Sequence, residues 1–232
     1  MSETVDISTL DGEGTFSAYC ARPARSPRAA IVVIQEIFGV NPGIRGKCDR
    51  LAADGYLALA PDLFWRLEPH VELDPDVAEE FQRALGLMGG FDQDLGVRDI
   101  EATIRRARNA LGVPKVGVVG YCLGGRLAYM VAARTDADAS VGYYAVGVPE
   151  LLREKHAIAN PLMLHIAGAD HFVDAEAQAA MHEGLNDHPR VTLCDYPGED
   201  HGFATEAGQR RSEVAATLAD SRSAAFFAEH LG

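Results

Sequence analysis

The sequence predicts an α/β protein: a mostly parallel central sheet with helices on both faces, in a single domain over residues 1–232. Three observations predict it. Short apolar runs recur along the chain and read as strands buried on both faces. Segments with helical spacing of apolar residues lie between them. Glycine, proline and acidic residues punctuate the joints.

Arg22 to Arg28 is a basic, proline-punctuated turn, and Ala29–Gln35 (AAIVVIQ) follows it as the first buried strand. Glu36-Ile37-Phe38-Gly39 is a loop, and Ile44–Asp54 has a helical pattern with Gly55 as its C-terminal stop. Tyr56–Ala60 is a second buried strand, closed by Pro61. The stretch from Asp62 to Asp92 is long, irregular and rich in Pro, Gly and aromatics, a composition expected of a lid or substrate-pocket segment. Helical spacing resumes over Gln93–Leu111, with Ile100, Ile104, Ala107 and Leu111 on one face. Val116–Gly120 is the next strand, followed by Ser140–Tyr144, Leu162–Ala167 and Val191–Tyr196. Helices are expected over Asp174–Leu185 and Gly208–His230.

Composition narrows the function. Hydrophobic residues make up 47% and charged residues 24%, an ordinary globular balance, but the formal net charge is −13. Such a surface repels phosphate backbones and anionic membranes, which argues against nucleic-acid and membrane partners. No apolar run reaches the roughly 18 residues of a membrane span. Met1–Leu10 lacks a basic start with an apolar core, so the expectation is a cytoplasmic chain. Cys20, Cys48, Cys122 and Cys194 form no CxxC pair, so neither a zinc site nor a dithiol motif is expected, and no metal is called for.

In open α/β sheets the chemistry lies beyond the carboxyl ends of the strands. That rule selects Glu36, Asp62, Cys122, Asp170 and His201. The strongest signal is Gly120-Tyr121-Cys122-Leu123-Gly124-Gly125, between a buried strand and a helical run. It has the form of a nucleophile elbow, where a strained residue turns strand into helix and the glycines leave room for the close approach. A cysteine stands where serine is usual. The helix starting there favours a thiolate, and the Leu123 amide can donate to an oxyanion. Taken alone, the segment reads equally well as a glycine-rich turn around an inert buried cysteine.

Two further residues decide between these readings. In the α/β-hydrolase fold the order along the chain is nucleophile, acid, histidine. Asp170 follows the strand Leu162–Ala167, and His201 follows Val191–Tyr196 in a glycine-flanked loop. His201 is the expected general base, and Asp170 the carboxylate that fixes its tautomer. His171 reads as a bystander, His165 as a hydrogen-bonded core residue, and Asp200 as a competing acid poorly placed to orient His201. Glu36 is either a carboxylate that accepts the thiol proton or a solvated loop acid.

Together Gln35-Glu36-Ile37-Phe38-Gly39-Val40-Asn41, Pro61-Asp62-Leu63, Gly120 to Gly125, Gly142-Tyr143-Tyr144 and Asp170-His171-Phe172-Val173 resemble the dienelactone hydrolase family from about Gly12 to the final helix. The resemblance implies a monomeric α/β hydrolase without a cofactor, acting on a small ester or lactone. It implies Cys122, Asp170 and His201 as a triad, Glu36 as the partner of the resting thiol, and the Leu123 and Ile37 amides as the oxyanion hole. It places Phe38, Tyr144, Phe81, Leu85 and Thr205 at the substrate. In the best-known members two arginines bind the substrate carboxylate; Thr205 and Phe81 occupy those positions here, and Leu85 replaces a tyrosine. Arg83 reaches the pocket only if the lid helix is shifted. Losing two cationic donors removes the contacts that offset anion desolvation, so a less charged ester is expected. The competing readings are a non-catalytic binding protein of the same fold and a thiol redox sensor, which needs a resolving cysteine near Cys122.

Overall fold

The structure, a computed structural model, describes residues 1–206 and 208–232, with the side chains of residues 110 and 111 also outside the description. It comprises two compact units, Met1–Gly117 and Val118–Gly232. The class is α/β with a mostly parallel sheet, as the sequence predicts.

In the first unit the strand order is β1 (Ser2–Ser8), β2 (Thr15–Ala21), β4 (Leu57–Pro61), β3 (Ala30–Ile34). Every residue of β3 and β4 is buried, and the two pair in parallel, with Ile31 opposite Ala58. The sequence reading has no counterpart for β1 and β2, which pair antiparallel, with Ile7 opposite Phe16. Their mixed polar pattern hides them: in β1 only Ile7 is buried, where it meets Phe16, Ala18 and Ala102 beside Trp65.

Three helices complete this unit. Helix α1 (Pro42–Ala53) begins at Asn41, whose side chain accepts the Ile44 amide at 3.1 Å, with proline at the first position. Helix α3 (Gln93–Leu111) is capped by Asp92 and stopped by left-handed Gly112. Ile100, Ile104 and Ala107 are buried as predicted, while the side chain of Leu111 lies outside the described residues. The 62–92 stretch is less irregular than expected, because Ala78–Gly90 forms helix α2. Gly86, Gly89 and Gly90 lower its intrinsic helicity, and Val77 gives no side-chain cap, so local signals conceal it. Trp65 and Arg66 brace this segment by donating to buried Asp99 on α3.

Strand β5 (Val116–Tyr121) leads into the second unit, where the order is β5, β6 (Ala139–Tyr143), β7 (Leu162–Ala167), β8 (Val191–Tyr196). Strands β6, β7 and β8 are parallel, with Tyr143 opposite His165 and His165 opposite Cys194. The helices are α4 (Leu123–Arg134), α5 (Ala175–Leu185) and α6 (Glu213–Leu231), with a 3-10 helix over Val148–Ala157. Helix α6 starts later than the expected Gly208; residues 209–212 are turn and extended chain, and the Ser212 amide bonds the Phe203 carbonyl at 2.9 Å. Among the described residues, no helix is long and apolar enough to cross a membrane.

Candidate active site

Cys122 occupies the junction of β5 and α4 with φ 57° and ψ −115°, a conformation L-residues rarely adopt. The fold holds it there through close backbone packing. A Cβ on Gly120 would lie 1.9 Å from the Gly124 carbonyl oxygen, and one on Gly125 would lie 2.6 Å from that of Tyr143. Only glycine fits either position. The Cys122 amide donates to the Tyr143 carbonyl at 3.1 Å, and its own carbonyl accepts from Arg126, closing the first turn of α4. The Leu123 amide, at the first position of α4, has no acceptor within its own helix, so it can serve an oxyanion.

Asp170 and His201 are both buried, with His201 Nδ1 2.9 Å from Asp170 Oδ2. The other carboxylate oxygen accepts the Phe172 and Val173 amides at 2.8 and 3.2 Å, fixing the acid in its loop. Asp200, the competing acid, faces elsewhere. Its Oδ1 accepts the backbone amides of His201 and His171 and lies 2.7 Å from His171 Nδ1. Burial raises the Asp200 pKa, but His171 and these amides outweigh it and hold the carboxyl below its usual range. Ligand atoms of Asp170, His171 and Asp200 come within 4.8 Å of one another, a metal-like cluster whose oxygens already brace the two loops.

Burial opposes a charge on His201, but the hydrogen bond to Asp170 and the influence of Cys122 and of the Asp170 charge overcome it, so its pKa is pushed up to about 10. His201 Nε2 makes no hydrogen bond of ordinary geometry among the described residues, so the influence of Cys122 is that of a close sulfur rather than a formed bond. Aromatic rings enclose the imidazole: Tyr144 packs against it at 5.0 Å between centroids and Phe172 edge-on at 4.8 Å. Tyr144 holds a positive φ of 37°, and half-exposed Phe172 forms an outer wall that the sequence reading passes over, although it stands two residues from Asp170. Thr205 is buried, and Arg211 donates to its carbonyl at 2.6 Å.

The remaining expected site residues belong to the first unit. Glu36, Ile37 and Phe38 follow β3 and are all buried. Phe38 packs on Phe81 of α2 with centroids 5.7 Å apart. Leu85, one turn on, is half-buried. Arg83 is exposed and ion-paired with Glu68. Asp62, at the end of β4, binds the His70 and Phe64 amides, and burial raises its pKa. All four cysteines are free thiols, and Cys48 is so enclosed that burial drives it out of reach of ionisation.

Comparison with known proteins agrees with this arrangement of elements. The dienelactone hydrolase family profile matches residues 16–231. A protein from Azospirillum brasilense is 47% identical over 229 residues, 98% of this chain and 99% of that one. The carboxymethylenebutenolidase of Pseudomonas putida is 39% identical over 98% of this chain and 97% of its own length. A crystal structure from Klebsiella pneumoniae superposes with a TM-score of 0.83 at 25% identity, covering 99% of both chains. The chain belongs to the dienelactone hydrolase family and is an ester or lactone hydrolase.

Proposed function

We propose that this hydrolase cleaves a small ester or lactone through a thioester acyl-enzyme formed on Cys122. The observation that carries the proposal is the buried Asp170–His201 pair beside a cysteine held in an elbow conformation. With the proton resting on His201, the Cys122 sulfur attacks the carbonyl as a thiolate, forming the S–C bond. The negative charge passes to the carbonyl oxygen, which the Leu123 amide receives. Collapse breaks the ester C–O bond, and the leaving oxygen takes the His201 proton. Water then attacks the thioester and gives a proton to His201; the acid leaves and the thiolate returns.

The match over residues 16–231 supports reading the chain as one functional domain. The Phe38–Phe81 contact supports the 62–92 stretch as part of the substrate pocket. The resemblance adds Glu36 and Ile37 to this chemistry, as partner of the resting thiol and second oxyanion donor. The names of the relatives point to a carboxylate-bearing lactone, whereas Thr205 and Phe81 favour a less charged ester. The test is steady-state hydrolysis of an aryl ester by Cys122→Ala. Loss of activity to the uncatalysed rate is expected, and full retention would refute the mechanism.

A further inference from the structure

Beneath the strand ends lies a buried polar chain that the mechanism does not use. Tyr143 on β6 donates to Asp220 of α6 at 3.1 Å. Its oxygen is also 2.7 Å from Ser223 Oγ, which is 2.9 Å from His165 Nε2 on β7. His165 Nδ1 is 2.8 Å from the Tyr196 hydroxyl on β8, and the Arg222 guanidinium of α6 lies over the Tyr196 ring, 5.3 Å from its centroid. One arrangement of protons satisfies all of these bonds. Tyr143 gives its proton to Asp220, so Ser223 must donate to Tyr143. Nε2–H of His165 then donates to Ser223, and Tyr196 donates to Nδ1. Burial holds the His165 pKa down at about 3, so the ring is neutral and can donate at one nitrogen while accepting at the other. The chain runs from the Tyr196 hydroxyl to the Asp220 carboxylate with each group before the acid donating once, an order in which each bond polarises the next.

The backbone of the same three strand residues holds the candidate site. The Tyr143 carbonyl accepts the Cys122 amide at 3.1 Å. The His165 carbonyl accepts the amide of Tyr144, whose ring packs on His201, at 2.8 Å. The Tyr196 carbonyl accepts Gly168 at 3.0 Å and Glu199 at 3.2 Å, in the loops that carry Asp170 and His201. We infer that Tyr143, His165, Tyr196 and Ser223 are positioning residues for the hydrolytic reaction: their side-chain network locks three strand ends whose carbonyls set the register of nucleophile, acid and base. The inference rests on the reading of Cys122, Asp170 and His201 proposed above. Displacements of an ångström in such a site cost orders of magnitude in rate, so a modest loosening is visible in turnover before it is visible in binding.

Three variants test it. Ser223→Ala removes the central link, Tyr196→Phe removes a hydroxyl while keeping the ring, and Ser223→Thr restores the hydroxyl. Asn160→Ala, which loses the 2.8 Å bond to the Ala137 carbonyl away from the site, serves as a folded but destabilised control. Ser223→Ala and Tyr196→Phe are expected to lower kcat about tenfold with KM within about twofold. They should also slow alkylation of Cys122 by iodoacetamide, while Ser223→Thr recovers both rates. Asn160→Ala is expected to lower Tm without changing kcat. Wild-type kcat and alkylation in Ser223→Ala and Tyr196→Phe, with Cys122→Ala inactive, overturns this inference alone. An active Cys122→Ala overturns the mechanism and this inference with it.

Discussion

His201 and Asp170 share a 2.9 Å hydrogen bond in which both side chains are almost wholly shielded from water. The Phe172 and Val173 amides hold the other carboxylate oxygen, so the acid cannot rotate away from the ring. Asp170→Asn keeps the shape but replaces an acceptor for Nδ1–H by an amide that can invert the tautomer. The expected result is a fall in kcat of about 10²–10⁴-fold with KM little changed. Steady-state kinetics on a reporter ester check this, and a loss below threefold would show that Asp170 does not orient the base.

The same pair makes stability depend on pH. His201 holds its proton to about pH 10 when folded and to about 6.5 when unfolded, so between those values the folded chain binds more protons. Its contribution is fully present below pH 6.5 and is lost as pH rises through 10. Thermal unfolding should therefore show Tm falling from pH 7 to pH 10. In Asp170→Asn, which lacks the main support for the charged ring, that part of the fall should shrink. Equal slopes in the two proteins would contradict the assignment.

At the elbow, Gly120 meets backbone rather than a flexible side chain, so nothing nearby can yield to a methyl group. Gly120→Ala is expected to cost about 3 kcal/mol or more. For a chain of this size that lowers Tm by roughly 6–12 °C. Calorimetry measures it directly, and an unchanged Tm would mean that the elbow packs more loosely than described.

The family resemblance implies that Thr205 stands where the best-known members carry a carboxylate-binding arginine. Arg211 reaches its carbonyl but also pairs with Glu213, which leaves the guanidinium partly neutralised. Wild type is expected to turn over a neutral methyl ester at least as well as the matching carboxylate. Thr205→Arg should raise kcat/KM for the carboxylate about tenfold relative to the neutral ester. A wild-type enzyme that strongly prefers the carboxylate would show that anion recognition comes from other residues.

The triad candidates were legible because each follows a short strand rich in apolar residues, and a parallel sheet delivers such residues to one rim. Gly120 and Gly125 were legible for the same local reason. Strands β1 and β2 were not, because β1 buries only Ile7 and its pattern is that of a solvated edge. Helix α2 was hidden by its own glycines. His165 could be read as a bonded core residue, but its partners could not: Ser223 is 58 residues away and Tyr196 is 31. Contacts of that span are set by the stacking of strands and helix, and neither composition nor periodicity encodes them locally.

The proposed mechanism passes through a covalent acyl group on Cys122. Rapid quenching with acid during turnover of a slowly deacylating aryl ester, followed by mass spectrometry of the digested protein, measures it most directly. A mass increase equal to the acyl group is expected on the peptide containing Cys122, disappearing as substrate is consumed and absent in Cys122→Ala. Full turnover with no adduct on that peptide, or with the adduct on another residue, would contradict it.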